Sequence, residues 1–333
     1  MKRINPFPTD KVNWLLQRTG EGLLHFLRFT HNILPRRAFE GVIRALLSIL
    51  VRFAFPRRRI LKNIKRAFGE TYSDIAKKGL AGGVQHHLAR NMQDCFQQLL
   101  EPSYAASNVH LTGLEHLEAA LAKQKGVIAL GAHLGNFPLV GARLGSDGFP
   151  FHVLFRVPSD HRIRNFIHEN VSLFHQTIIS SQPRRTAVKT IITTLRKNGI
   201  VFMLADNLKR GEITTRLFGQ TVRSPRGPAS LALRSGAALL PVYVVRNYRG
   251  DLELVIEPEI PLHRTSDLNT DILHNTHLIT AHLETIIRLY PDQWMWLTVR
   301  MKRRQPPYSD NHYRIVPPDY TRPLKDPYSL PSP

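Results

Sequence analysis

Short apolar runs alternate along this chain with longer stretches of helical period, and that alternation predicts most of its elements. Runs at 109–112, 127–130, 151–155, 177–179, 200–204, 239–246 and 252–256 are the length of buried strands. Helical spacing covers 73–100, where Ser73 is the expected N-cap and Pro102 closes the segment, then 115–123, 160–174, 186–197, 228–235 before Gly236, and 268–289. The stretch 208–227 is expected to be turn-rich. From Pro306 onward, prolines and polar residues predict a poorly ordered tail. Strands separated by helices throughout place the chain in the α/β class, with a mostly parallel central sheet flanked by helices.

The N-terminal region has its own pattern. Apolar stretches at 23–34 and 42–55 are broken by His25, Arg28, His31, Arg44 and Arg52, so neither reaches the roughly 20 residues that span a bilayer. Within 42–55, Ile43, Leu46, Leu47, Leu50, Val51 and Phe53 recur mostly at helical spacing. Two readings fit such an amphipathic helix equally: it lies on a membrane surface, or it packs on its own domain. Arg57, Arg58 and Arg59 follow at once, then Lys62, Lys65 and Arg66, and a basic cluster beside an apolar helix favours anionic lipid head groups.

Charge narrows the partners. The 333 residues carry a formal net charge of +21, which attracts nucleic acid, an anionic membrane, or acidic substrates and carrier proteins. Cys95 is the single cysteine, which excludes an internal disulfide and a cysteine-based zinc site and fits a reducing, cytoplasmic setting. Pro6, Pro8 and Asp10 interrupt the start of the chain, so no signal peptide is expected. His86-His87 and the set His274, His277 and His282 lack a carboxylate placed to complete a metal site, and no metal is expected.

Three predicted strand ends carry polar groups: His133, Arg156 and Asp206-Asn207. Open α/β sheets place ligands at that edge. Together a histidine, a cation and a carboxylate suit proton abstraction from a hydroxyl or amine, with the cation stabilising developing negative charge. Read alone, His133 fits better a turn residue bonded to nearby backbone. No Gly-x-Ser-x-Gly elbow, Walker loop or dinucleotide fingerprint is present.

The segment His133-Leu134-Gly135-Asn136-Phe137 resembles the late acyltransferases of lipid A biosynthesis, within the lysophospholipid acyltransferase superfamily. The resemblance runs from about Arg57 to Lys302. It includes Arg57-Arg58-Arg59-Ile60 with Asn63 and Ala67-Phe68, then Gly113-Leu114-Glu115-His116-Leu117, Phe155-Arg156 and Leu204-Ala205-Asp206-Asn207. Phe218-Gly219, Gly227-Pro228-Ala229, Gly236-Ala237, Pro241-Val242 and Pro291-Asp292-Gln293-Trp294-Met295-Trp296 follow in the family's order. It implies a glycerolipid acyltransferase-like fold divided into a membrane-associating region (1–56), an acyltransferase domain (57–305) and the tail (306–333). It also implies transfer of a fatty acyl group, without a further cofactor, from acyl carrier protein or acyl-CoA to a hydroxyl of a lipid A precursor or related glycolipid or phospholipid. His133 would be the base, Asn136, Arg156, Arg164, Asn207 and Gly227 would meet substrate, and Arg57, Arg58 and Arg59 the membrane surface. The implied partners are acyl carrier protein and an anionic membrane lipid, with no nucleic acid, at the cytoplasmic face of a bacterial inner membrane.

One departure stands out. The family's histidine is followed five positions later by an acid that orients the imidazole, and here that position is Pro138, which has no polar side chain. Either another carboxylate takes over, with Asp206 preferred to Asp147 and Glu169, or the protein is a degenerate lipid- or carrier-binding homologue.

Overall fold

The computed structural model describes residues 35–157, 164–165, 171, 174–208 and 211–297. The apolar stretch at 23–34, most of the helix expected at 160–174, and the tail from 306 lie outside the described residues.

Seven strands form the central sheet. In chain order they are β1 (Val109–Thr112), β2 (Val127–Gly131), β3 (Phe151–Phe155), β4 (Thr177–Ser180), β5 (Ile200–Leu204), then, after a separate hairpin of β6 (Ile213–Leu217) and β7 (Gln220–Ser224), β8 (Ala238–Arg246) and β9 (Leu252–Ile256). Their order across the sheet is β1-β9-β8-β2-β5-β3-β4, and only the β8–β9 pairing is antiparallel. Both faces are covered. Val127, Ala129, Ile200, Phe202, Leu240 and Val242 enter one apolar layer, while Ile128, Leu130, Val201, Met203 and Leu239 enter the other. This is why β2, β5 and β8 read as unbroken apolar runs instead of alternating ones.

The complete helices among the described residues are α1 (Arg36–Ala54), α2 (Arg57–Phe68), α3 (Asp74–Leu100), α4 (Tyr104–Asn108), α5 (Leu114–Ala122), α6 (Pro138–Ser146), α7 (Arg184–Arg196), α8 (Gly227–Ser235) and α9 (Leu268–Leu289). Ser73 caps α3 as expected, its hydroxyl accepting from the Ala76 N–H at 3.2 Å. Helix α3 tolerates glycine in its interior because Gly83 faces Asp292: a Cβ there would lie 2.9 Å from the Asp292 Cβ.

Two expectations change. The 208–227 stretch is not simply turns, because β6 and β7 pair across Phe218-Gly219, both at positive φ, as a two-residue hairpin requires. Arg57, Arg58 and Arg59 are exposed, but they form the first turn of α2 instead of a flanking tract, and the Arg57 guanidinium donates to the Lys78 carbonyl at 2.6 Å. Ile60, Ile64 and Phe68 anchor that helix in a cluster with Trp294 and Trp296.

Helix α1 meets both readings of its pattern at once. Phe39, Ile43, Leu47 and Val51 are buried against α3. Val42, Leu46, Ile49, Leu50 and Phe53 form a second apolar stripe that stays exposed, Phe53 to 80 %. No described helix is long and apolar enough to cross a membrane.

Candidate active site

Sheet register decides which residues can meet. Gly131 at the end of β2 pairs with Leu204 at the end of β5, so His133 and Asp206 each leave their strand two residues later, side by side. The Ala205 N–H donates to the Gly131 carbonyl at 2.9 Å and extends the pairing by one residue. Beyond it, His133 Nδ1 lies 2.8 Å from Asp206 Oδ1, and the His133 backbone N–H donates to Oδ2 at 2.9 Å.

Asp206 is wholly buried, and its Oδ2 also accepts the Trp294 indole N–H at 2.9 Å. Three N–H groups therefore converge on this carboxylate, so burial leaves neither oxygen without a donor. The geometry assigns the tautomer: Nδ1 carries the proton donated to Asp206, and the Nε2 lone pair is the one able to take a proton. The His133 side chain is 28 % exposed and packs edge-on against Phe137, with ring centroids 5.2 Å apart.

Backbone contacts hold the turn in place. Gly135 has φ +52°, and a Cβ there would sit 1.9 Å from the Val244 carbonyl oxygen, so only glycine lets the turn lie this close to β8. Its N–H donates to the Gln293 carbonyl at 2.9 Å, and the Asn136 N–H donates to the Val244 carbonyl at 2.8 Å. From the other side, the Met295 N–H donates to the His133 carbonyl at 2.8 Å. The Gln293 amide exchanges two hydrogen bonds with the Arg246 backbone, at 2.9 and 2.8 Å, fastening this closing segment to the end of β8. The segment 293–295 was visible as a motif, but its role depends on contacts across the fold. Trp294 donates to a residue 88 positions earlier, which no local pattern reveals.

The remaining candidates divide. Arg156 follows β3 on the β5 side of the site and is exposed; Asn207, next to Asp206, is exposed as well. Gly227 opens α8, and a Cβ added there would meet nothing within 4 Å. Arg164 has helical backbone and an exposed side chain. Asn136 points inward: it is 1 % exposed, and its amide donates to Asp94 Oδ2 at 2.9 Å and to the Asn91 carbonyl at 3.3 Å. As placed, it braces the turn against α3 from behind and presents no surface to a substrate.

Two groups are unsuited to the chemistry. The Cys95 thiol donates to Asn136 Oδ1 at 3.3 Å, and burial pushes it up to about 12, so it is no thiolate nucleophile at neutral pH. Asp147 caps the end of α6 and pairs with Arg143. Among the histidines weighed for metal, His282 Nε2 contacts Glu257 and His274 stacks on His263.

Pro138 takes a different meaning here. It is the first residue of α6, where a fixed φ and a missing N–H suit a helix start. With Asp206 already on Nδ1, a second carboxylate has no vacant position to fill. Pro138→Glu is therefore expected to raise any reaction that uses His133 as base by less than about twofold; a gain of tenfold or more would show that Asp206 does not orient the ring.

The family model described as bacterial lipid A biosynthesis acyltransferase matches residues 13–303. A phosphatidylinositol mannoside acyltransferase of Mycolicibacterium smegmatis is 24% identical over 268 residues, covering 79% of this chain and 85% of that protein. Its counterpart in Mycobacterium tuberculosis strain H37Rv is 34% identical over 140 residues, 41% of this chain and 44% of that protein. With a match that extends from ahead of α1 to beyond the Trp294 clamp, the chain is an acyltransferase and belongs to the bacterial lipid A biosynthesis acyltransferase family.

Proposed function

We propose that this protein moves a fatty acyl group from an acyl carrier protein or acyl-CoA thioester to a sugar hydroxyl of a membrane glycolipid, with His133 as general base and Asp206 as the residue that orients it. The observation that carries this reading is the 2.8 Å contact between His133 Nδ1 and the buried Asp206 carboxylate. Nε2 takes the proton of the acceptor hydroxyl as its oxygen attacks the thioester carbonyl. The tetrahedral oxyanion then collapses, the C–S bond breaks, and the departing sulfur recovers the proton from Nε2. No acyl-enzyme forms. Arg156, exposed beside the site, is assigned to a substrate phosphate or to the oxyanion.

The acceptor class draws on two sources of support, a family described by lipid A biosynthesis and relatives named for phosphatidylinositol mannoside. Both names describe lipids that bear sugar hydroxyls. The degenerate-homologue reading rested on a missing acid, and Asp206 supplies a carboxylate at hydrogen-bond distance. The test is acyl transfer from radiolabelled acyl carrier protein and acyl-CoA to a membrane lipid extract. Product on a glycolipid that is absent with His133→Ala supports the proposal, and no transfer from either donor contradicts it.

Attachment to the cytoplasmic face of the inner membrane is proposed through α1. Its exposed stripe, with the exposed arginines of α2 next to it, has the composition of an interfacial anchor. Burying a Leu or Phe side chain is worth roughly 1.5–3 kcal/mol when complete. Leu50→Ser with Phe53→Ser is therefore expected to lower binding to anionic vesicles by about tenfold or more, read by flotation. Unchanged flotation would remove α1 as the anchor.

A further inference from the structure

A polar cavity of about 350 Å³ opens between α1, α3, α4 and the turn that joins β8 to β9. Neither His133 nor Asp206 lines it. Arg44 from α1, Arg90 from α3 and Arg246 from the end of β8 all reach its wall. Two groups on that wall are buried with a polar atom unmatched: Arg246, 6 % exposed, at Nε, and Gln97, 4 % exposed, at Oε1. Buried polar atoms are nearly always satisfied, and each orphan costs about 1–3 kcal/mol. Both atoms are covered as the side chains stand, and a small turn of either toward the cavity would let a ligand supply the missing partner.

The charges agree. The Arg246 guanidinium is paired with Asp94, a carboxylate that also accepts from the Tyr104 hydroxyl at 3.0 Å and from the Asn136 amide at 2.9 Å. Arg90 remains beside two other guanidiniums, and burial together with Arg246 and Arg44 pulls it below the usual arginine range against the opposing pull of Asp94. His86, one turn earlier on α3, is held low by burial and by the electrostatic influence of His87, Arg90, Arg246 and Arg44. Glu40 and Asp251 also line the cavity, so its wall is of mixed character. Arginines suit a phosphate, while Gln97 Oε1 and Asp251 can accept from hydroxyls. The volume exceeds that of a bare phosphate and falls in the range of small-molecule sites.

We propose that this cavity binds a phosphate group carried on a small polyol, with Arg44, Arg90 and Arg246 on the phosphate and Gln97 and Asp251 on the hydroxyls. The shared chemistry admits two sources, a free polyol phosphate or a phospholipid head group. Along α1, Glu40 and Arg44 lie on one flank of the buried stripe and the exposed apolar residues on the other. With the apolar stripe on a bilayer, the cavity would open toward water, which favours the free ligand. The proposal does not depend on the acyl-transfer reading.

Calorimetric titration of the full chain with glycerol 3-phosphate tests it. The expected result is saturable one-site binding that Arg90→Gln or Arg44→Gln weakens by about tenfold or more and His133→Ala leaves unchanged. These two arginines are chosen because removing Arg246 would strand Asp94 in the interior. Flotation on phosphatidylcholine vesicles with and without phosphatidylglycerol separates the sources. Dependence of anionic-vesicle binding on Arg90, without binding of glycerol 3-phosphate, assigns the phosphate to a lipid. Neither titration nor flotation responding to Arg90→Gln and Arg44→Gln would overturn the proposal. So would soluble binding that is lost in His133→Ala and kept in Arg90→Gln, because the ligand would then sit at the His133 site.

Discussion

Asp206→Asn is expected to lower acyl transfer by up to about 10⁴-fold, the loss seen when an orienting carboxylate in a comparable triad becomes an amide. The reason lies in the division of labour between the two oxygens. Oδ2 accepts from the His133 backbone N–H and from the Trp294 indole, and Oδ1 accepts from His133 Nδ1–H. The asparagine carbonyl keeps the first two bonds by taking the place of Oδ2. Its NH₂ then replaces Oδ1 and turns an acceptor into a donor. His133 can answer only by presenting the Nδ1 lone pair, which moves the ring proton to Nε2, where the base must be empty. Fold and thermal midpoint should change little, because the bonds from the His133 backbone N–H and the Trp294 indole survive. Steady-state transfer measured beside a melting curve checks both halves: near-normal rates contradict the role, and a collapsed melting transition would make the loss structural.

His133→Ala is expected to cost about 10²–10⁴-fold in transfer, the usual contribution of a positioned general base. The fall should appear in kcat, with KM for the acyl donor little changed, because proton removal stabilises the transition state more than the bound substrate. Stability should fall by about 1–3 kcal/mol, because Oδ1 of the buried Asp206 loses its donor. The turn itself should persist, since the Gly135, Asn136 and Met295 backbone bonds that hold it do not use the imidazole. A variant that keeps a tenth of the wild-type rate would move the base elsewhere.

The sheet was legible in the sequence because its central strands are covered on both faces. Burial forces near-continuous apolar runs, and β5 and β9 fall on the expected residues. The meeting of His133 with Asp206 was legible at the level of neighbouring strand ends, and the Gly131–Leu204 register brings it to hydrogen-bond distance. Asn136 shows the limit of a contiguous motif. Three residues from His133, it turns inward to Asp94 and Asn91 because the turn crosses over β8, which spacing along the chain does not report. The β6–β7 hairpin was hidden by chemistry: Thr215 and Ser224, each 2 % exposed, occupy core positions and bond to one another at 2.6 Å, so period-two alternation never appears as apolar against polar. Helix α2 was masked by its charges, although Ile60, Ile64 and Phe68 keep a strict four-residue spacing beneath them.

The sharpest check on the pairing of His133 with Asp206 is the tautomer of the ring. With histidines labelled in ¹⁵N, the spectrum of the wild-type chain at a pH where the ring is neutral reports which nitrogen holds the proton, and His133→Ala identifies the signal among the 16 histidines. Orientation by Asp206 requires Nδ1–H in the wild type and Nε2–H in Asp206→Asn. An Nε2–H ring in the wild type, or a tautomer that Asp206→Asn leaves unchanged, would contradict it.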